Sequence, residues 1–125
     1  MQPVAKRGDR VIAIDTHIIV ANGVAAPVPH PFDGSLDTEL SPDVLAEHLA
    51  VAVVGSRATN EPAHVPIGGS FQRAPHDKAK VIVGSSTVLV NDKPIARNLD
   101  AAETCNDPSD LPVGTVVAAG TVMSG

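Results

Sequence analysis

Pro3-Val4-Ala5-Lys6-Arg7-Gly8-Asp9 is the stretch that decides the fold, because it recurs twice along the chain. The second copy is Ala50-Val51-Ala52-Val53-Val54-Gly55-Ser56, and the third is Pro94-Ile95-Ala96-Arg97-Asn98-Leu99-Asp100. The glycine of the first copy aligns with Gly55 and Leu99, at spacings of 47 and 44 residues. Repeats of this kind indicate a fold built from similar units. The sequence therefore predicts three pseudo-symmetric units.

Short runs of β-branched residues dominate the rest of the chain, which is typical of strands. The runs are Val11–Ile14, Val51–Val54, Val81–Val83, Val88–Val90 and Val116–Val117. Clusters of Pro, Gly, Asn and Asp separate them and stop long helices. We therefore predict an all-β fold, a small cone or prism of three short-stranded hairpin units with few or no helices.

Residues 44–54 allow two interpretations. Ser41-Pro42-Asp43 has the features of a helix start: an N-cap residue, proline at the first helical position and an acid after it. The repeat instead aligns residues 44–48 with residues 88–92, where Asn91-Asp92 is typical of a two-residue hairpin turn. We favour the hairpin because the repeat involves the whole chain. His48 is then expected at a turn tip.

Length and composition restrict the possible functions. A chain of 125 residues supports one domain, residues 1–125. The chain has a net charge of −5, two Phe and no Trp or Tyr. It therefore lacks the basic surface and stacking aromatic residues of a nucleic-acid-binding protein, and we exclude that class. No apolar run approaches the ~18 residues of a membrane span, and Met1–Asp9 lacks an apolar signal core. We expect a chain made in the cytoplasm without a signal peptide.

Histidine and cysteine recur at matching places in the repeat. His17 and His64 each follow the aligned glycine by nine residues, and Cys105 follows Leu99 by six. Two imidazoles and one thiol converging near a pseudo-threefold axis would suit zinc, which takes neutral imidazole and thiolate ligands. The alternative is surface histidines and a buried small thiol. As the only cysteine, Cys105 cannot form an internal disulfide.

His30, His48 and His76 are the candidates for a fourth ligand. His30 is favoured because Pro29 and Pro31 restrict the backbone on both sides. His48 is expected at a turn tip, and His76 lies in a charged loop. No pair of these residues has the close spacing of a common zinc motif, so the spacing alone is a weak signature.

The chain resembles the PAAR-repeat proteins, the pointed tips that cap the central spike of contractile injection machines. The resemblance covers nearly the whole chain, and these segments carry it: Pro3–Asp9, Asp15–His17, Pro29–Phe32, Pro62–Phe71, Gly84–Arg97 and Thr104–Pro108. Three of these segments are most similar to the PAAR-like tips of extracellular, phage-tail-derived particles: Pro29–Phe32, Pro62–Phe71 and Thr104–Pro108. Departures from the motif are Ala50 in place of Pro, Glu47-His48 in place of Asn-Gly, and Leu99 in place of Gly.

The resemblance implies a β-rich cone that binds structural zinc near its apex through three His and one Cys. Carried onto this sequence, the ligands are His17, His30, His64 and Cys105. It also implies a monomeric, non-catalytic tip, with one copy on each trimeric spike protein, that aids membrane puncture and carries an effector or cargo in some members. Such a protein is deployed outside the cell as part of an injection particle.

We expect the contact with the spike to use apolar strand edges around Val51–Val53, Val81–Val83 and Val116–Ala118. Two other functions remain open. A zinc hydrolase needs an open metal position and a general base, for which Asp15 and Glu61 are candidates. Each of these acids is equally explained as an acceptor for a ligand imidazole or as a solvated loop residue. The other function is a plain structural or metal-binding adaptor domain.

Overall fold

The computed structural model describes residues 1–125 and contains strands but no helix. The thirteen strands are β1 (Gln2–Pro3), β2 (Arg10–Ala21), β3 (Val24–Thr38), β4 (Leu45–Ala46), β5 (Leu49–Ala50), β6 (Arg57–Asn60), β7 (Ser70–Phe71), β8 (Lys78–Val81), β9 (Leu89–Val90), β10 (Lys93–Pro94), β11 (Ala101–Thr104), β12 (Leu111–Val117) and β13 (Met123–Ser124). The predicted all-β class is confirmed. The helical alternative for residues 44–54 is wrong, because β4 and β5 pair as a hairpin there.

Six strands close on themselves as one antiparallel ring. β2 pairs with β3, and the order continues through β6, β8, β11 and β12. β12 then pairs with β2, with Thr115 opposite Ile12. Because every strand in the ring has two neighbours, no long strand edge is left unpaired at this level.

The interior of the ring is filled by small side chains. The buried cluster contains Ala5, Val11, Phe32, Leu36, Ala52, Ala58, Ala79, Val81, Ala96, Ala102, Cys105, Val116 and Ala118. Phe32 is the only aromatic residue among them. Because most of these side chains are small, the backbones of the ring can lie close together, and a chain almost without aromatic residues still fills the interior.

The β2–β3 hairpin is much longer than the other strands of the ring and extends beyond them. Its register runs from Arg10 opposite Ser35 to Ala21 opposite Val24. Pro27 and Pro29 lie opposite Ile18 and Thr16, whose amides donate to Asp107 and Asn106 and therefore point away from β3. The missing donors of these prolines thus face the free edge, and no hydrogen bond to β2 is lost. The hairpin is thus compatible with its prolines and provides a platform outside the ring.

The three motif copies form matching turns. Gly8, Gly55 and Leu99 all have left-handed backbones, with φ of 89°, 98° and 74°. In the first turn the Asp9 amide donates to the Lys6 carbonyl. The equivalent donors in the other two turns are the amides of Ser56, which bonds to Val53, and Asp100, which bonds to Arg97. Leu99 thus adopts the turn that glycine would form, despite its side chain.

A ring of hydrogen bonds joins the motif copies to one another. The Ala5 amide donates to the Ala96 carbonyl, Ala96 donates to Ala52, and Ala52 donates to Ala5, each at 2.9 Å. All three alanines have no exposed surface. We call these residues the alanine ring. The wider pseudo-threefold relation of three complete units stays a prediction.

Three two-stranded ribbons flank the alanine ring: β4–β5, β9–β10 and β1–β13. Glu47-His48 and Asn91-Asp92 form the tips of the first two, with φ between 51° and 69°. The expected position of His48 at a turn tip is therefore confirmed. The third ribbon is made from the two ends of the chain, with Pro3 opposite Met123.

The predicted apolar docking edges are wrong for most of their residues. Val51–Val53 are buried, and the Ala52 amide is bonded within the alanine ring. Val81 and Val116 are fully buried inside the strand ring. These segments are valine-rich because they build the interior. Among the predicted residues, only Val83 and Val117 are exposed.

Candidate metal centre

The first two residues of the site lie two positions apart on one face of β2. Asp15 and His17 alternate with Thr16 and both point inward, where they are buried. Val11 is in the core on the same face, and six residues at ~3.3 Å each put His17 about 20 Å from it along the strand. The site thus lies on the part of the β2–β3 hairpin that extends past the core.

His64 reaches the site from the segment 61–77, which we call the strap. Its backbone amide donates to Asp77 Oδ1 at 2.8 Å, and its ring Nε2 lies 2.8 Å from Asp15 Oδ2. The His64 side chain is only 2% exposed. The strap itself is otherwise exposed, apart from Phe71, Pro75 and Asp77. His64 is therefore the main buried anchor of the strap.

Cys105 enters from the turn that follows β11. Asn106 accepts a hydrogen bond from the Thr16 amide at 2.7 Å, and Asp107 accepts one from the Ile18 amide at 2.8 Å. These side chains occupy the place of a neighbouring strand along β2. Because they attach the turn to β2, the Cys105 thiol is held beside Asp15, with Sγ donating to Oδ2 at 3.3 Å.

Asp15, His17, His64 and Cys105 together form a group that could bind a metal ion. Their donor atoms all lie within 4.8 Å of one another. Imidazole, thiolate and carboxylate are the ligands of zinc and related transition metals. The prediction of a metal-binding cluster is thus supported at the level of the cluster, with no ion identified.

His30 lies beside this group. It pairs across the hairpin with Asp15 and is buried. Its ring centre is 5.6 Å from that of His17 and 5.7 Å from that of His64, and the His17–His64 separation is 4.9 Å. Three imidazoles on one tetrahedral ion, with metal–nitrogen bonds of ~2.0–2.1 Å, have ring centres roughly 5 Å apart. The triangle is therefore of the right size.

The unpartnered polar atoms of the protein interior are concentrated at this site. The buried side-chain nitrogens and oxygens without a hydrogen-bond partner are His17 Nδ1, His17 Nε2 and His30 Nε2. Buried polar groups are normally paired, so each exception needs an explanation. His30 Nδ1 lies 2.8 Å from the Val28 carbonyl, and donation there leaves Nε2 with a free lone pair. Both rings are thus prepared to bind a cation.

Asp15 is the residue whose role the sequence did not settle. Its carboxylate accepts hydrogen bonds from the Thr104 hydroxyl and Cys105 thiol and lies against His64. Because Asp15 has no exposed surface, the interpretation as a solvated acid is wrong. Its two-residue spacing from His17 on a strand was the available signal. Glu61, the other candidate base, is exposed.

Burial controls the protonation of the site in the absence of an ion. Desolvation, followed by the nearby Asp15 charge, raises the pKa of the Cys105 thiol far above its ordinary value. Desolvation and the neighbouring His64 lower the pKa of His17. The thiol therefore stays protonated and is a poor nucleophile, whereas a bound cation would favour the thiolate.

Both phenylalanines of the protein border the histidines. The Phe71 ring centre lies 5.7 Å from that of His17 and 5.6 Å from that of His30, and the Phe32 ring centre lies 6.0 Å from that of His64.

Two clefts flank the cluster. One, of about 360 Å³, is lined by His30 and His64, and the other, of about 340 Å³, by His17 and Cys105.

The two disfavoured histidines lie elsewhere. His48 is exposed at the β4–β5 turn. His76 is exposed too and lies 2.7 Å from Asp110 Oδ1, at the rim of the second cleft. All four predicted ligands, His17, His30, His64 and Cys105, are thus near one another, and their direct ligation of zinc stays a prediction.

A scan of the sequence against models of protein families gives no match, and a search among curated proteins gives none either. No helix long and apolar enough to cross a membrane occurs in the structure.

Proposed function

We propose that this protein is a non-catalytic, zinc-stabilised tip that caps the trimeric spike of a contractile injection system. The observation that carries the proposal is the alanine ring, in which residues 5, 52 and 96 are hydrogen-bonded in a cycle. One chain with three similar segments around one axis can present a similar face to each subunit of a homotrimer.

The three ribbons form the surface that we propose contacts the spike. Each carries one exposed apolar residue opposite the first residue of a motif copy: Leu45 opposite Ala50, Leu89 opposite Pro94 and Met123 opposite Pro3. Their exposed fractions are 59%, 62% and 46%. These residues replace the buried valine edges as the proposed contact with the spike.

The metal centre supports a stiff apex. In the proposal one zinc ion is held by His17, His30, His64 and Cys105. When bound, the ion would cross-link the β2–β3 hairpin, the strap and the turn after β11. The unpartnered nitrogens of His17 and His30 favour this donor set. Structural zinc contributes on the order of 10 kcal/mol to small domains, enough to matter for a core of small side chains.

Co-expression with a trimeric spike protein, followed by native mass measurement, tests the capping function. We expect one copy of this chain per spike trimer. The variant Leu45→Asp/Leu89→Asp should lose the complex, because charge is placed on two of the three ribbons. Ile14→Asp is the matched control, since Ile14 is 62% exposed on β2 and away from the ribbons. A 3:3 complex, or no complex, would refute the proposal.

A small metal-dependent hydrolase is the second candidate, favoured by one observation. The cleft lined by His17 and Cys105 also carries Arg73 and Ser109, so it combines possible metal ligands with polar groups. We expect no turnover, because four protein ligands close a zinc site to water. Zinc-dependent hydrolysis of an ester or phosphoester that is lost in Cys105→Ser would favour this candidate instead.

A further inference from the structure

His17 has two buried nitrogens without a partner, and one metal ion can use only one of them. A neutral imidazole that binds a cation through one nitrogen carries a hydrogen on the other. That N–H would stay unpaired in the interior unless an acceptor faces it. Metal-binding histidines usually donate this hydrogen to a carboxylate or carbonyl, which fixes the ring and its tautomer.

Asp107 provides a carboxylate on the Nδ1 side of His17. Its Oδ2 lies 3.5 Å from His17 Nδ1, slightly longer than a hydrogen bond, and the side chain is 5% exposed. The other neighbouring acceptors are occupied: the Val28 carbonyl by His30, and Asp15 by Thr104, Cys105 and His64, as the hydrogen bonds show. Asp107 is therefore the acceptor available to His17.

The Asp107 carboxylate is itself held in place. Oδ2 accepts from the Ile18 amide at 2.8 Å, and Oδ1 accepts from Arg73 at 2.9 Å. The arginine belongs to the strap, and its guanidinium also donates to the Asn106 carbonyl at 2.8 Å. The carboxylate thus lies between a fixed strand amide and a strap cation, with one oxygen directed toward His17.

We propose that Asp107 is a positioning residue for the metal centre: it accepts the Nδ1 hydrogen of His17 and so directs Nε2 toward the ion. This assignment rests on the metal binding proposed above. It gives His17 and His30 the same arrangement, because each ring then donates through Nδ1 and keeps Nε2 for the metal. Arg73 supports the carboxylate from outside, which links the strap to His17 as well as to His64.

The test measures zinc affinity by competition with a chromogenic chelator in the full chain. We expect Asp107→Asn to raise the Kd for zinc about 10-fold, the lower end of the usual effect of altering such a partner, because a neutral amide oxygen is a weaker acceptor for the His17 hydrogen than a carboxylate. The amide oxygen can still accept from Ile18, so the turn is retained. Asp110→Asn is the matched control and should leave the Kd unchanged, because the Asp110 side chain hydrogen-bonds only to the exposed His76.

Imidazole ¹⁵N spectroscopy of the zinc-loaded wild type provides a readout that does not depend on any variant. We expect a slowly exchanging proton on His17 Nδ1. A proton on Nε2 would overturn the assignment, as would an unchanged Kd in Asp107→Asn with a lowered Tm of the metal-free protein. Failure of the wild type to bind zinc would overturn the proposed metal centre and this assignment together.

Discussion

Leu99 has the left-handed backbone of Gly8, with φ of 74° against 89°, although only Gly8 lacks a Cβ atom. Leu99 donates its amide hydrogen to Val116 at 2.8 Å, as Gly8 does to Leu36 at 3.0 Å. Its side chain is 65% exposed. The surrounding hydrogen bonds therefore impose the conformation, and the side chain gains little burial in return.

Leu99→Gly should stabilise the protein. Relief of left-handed strain is worth about 1–2 kcal/mol, and the extra flexibility of glycine in the unfolded chain offsets about 0.5–1 kcal/mol of it. A net gain of about 0.5–1 kcal/mol should raise Tm by roughly 2–5 °C in calorimetry. Gly8→Ala is the mirror control: no atom lies within 4 Å of the added Cβ, so its expected loss comes from the backbone alone.

Elemental analysis should find one zinc per chain in protein purified without chelator. Cys105→Ser should lose most of the metal and lower Tm sharply, because the ion then has one ligand fewer and the buried hydroxyl is a poor substitute. His48→Ala and His76→Ala are the controls, and both should keep full metal content. A stoichiometry near zero in the wild type would contradict the metal centre.

The fourth ligand is decided by a pair of variants. His30→Gln should lower zinc content, whereas Asp15→Asn should retain the ion, since the amide can still accept from the Thr104 hydroxyl. The opposite result would assign Asp15 as the ligand and leave His30 as a buried neighbour.

Zinc should protect the strap from hydrogen exchange. The strap is held by His64, by the short β7 pairing and by Arg73, with little buried surface of its own. Opening it would therefore require release of a metal ligand. We expect the Gln72 amide, bonded to the Ile18 carbonyl, to exchange at least about tenfold more slowly with zinc. The Ala52 amide in the alanine ring is the internal control and should not change.

Glu47 should make stability depend on pH in the acidic range. Hydrogen bonds from the Thr121 amide and hydroxyl lower the pKa of Glu47 below its ordinary value of 4.5. Because the folded pKa is the lower one, the contribution is fully present above the unfolded pKa and is lost as pH falls through the folded pKa. Denaturant titrations should show a smaller loss in this range for Glu47→Gln than for the wild type. Glu61→Gln is an exposed control.

The repeat in the sequence was sufficient to predict the β4–β5 and β9–β10 hairpins, with tips at Glu47-His48 and Asn91-Asp92. Turn geometry is local, so equal residues at Gly8 and Gly55 indicate equal φ values, whereas only the structure shows that Leu99 adopts the same left-handed backbone. Periodicity could not show which valines are exposed, because Val51–Val53 and Val116 alternate in the same way whether a neighbouring strand covers them or not. The pairing of β12 with β2 covers Val116, and bridges to Lys6 and Ile95 hold Val51 and Val53 in place. All of these contacts join residues more than 40 positions apart in the chain.

The candidate site divides in the same manner. Residue type and repeat spacing alone selected His17, His64 and Cys105, because soft and nitrogen donors at equivalent positions are a chemical property of the chain. The burial of Asp15 and the approach of Asp107 to His17 come from tertiary structure, since an aspartate in a turn-rich sequence is solvated unless other segments cover it. The strap and the turn after β11 cover these carboxylates from distant parts of the chain. Asp15 and Asp107 are therefore buried beside the histidines only because the tertiary structure brings these segments over them.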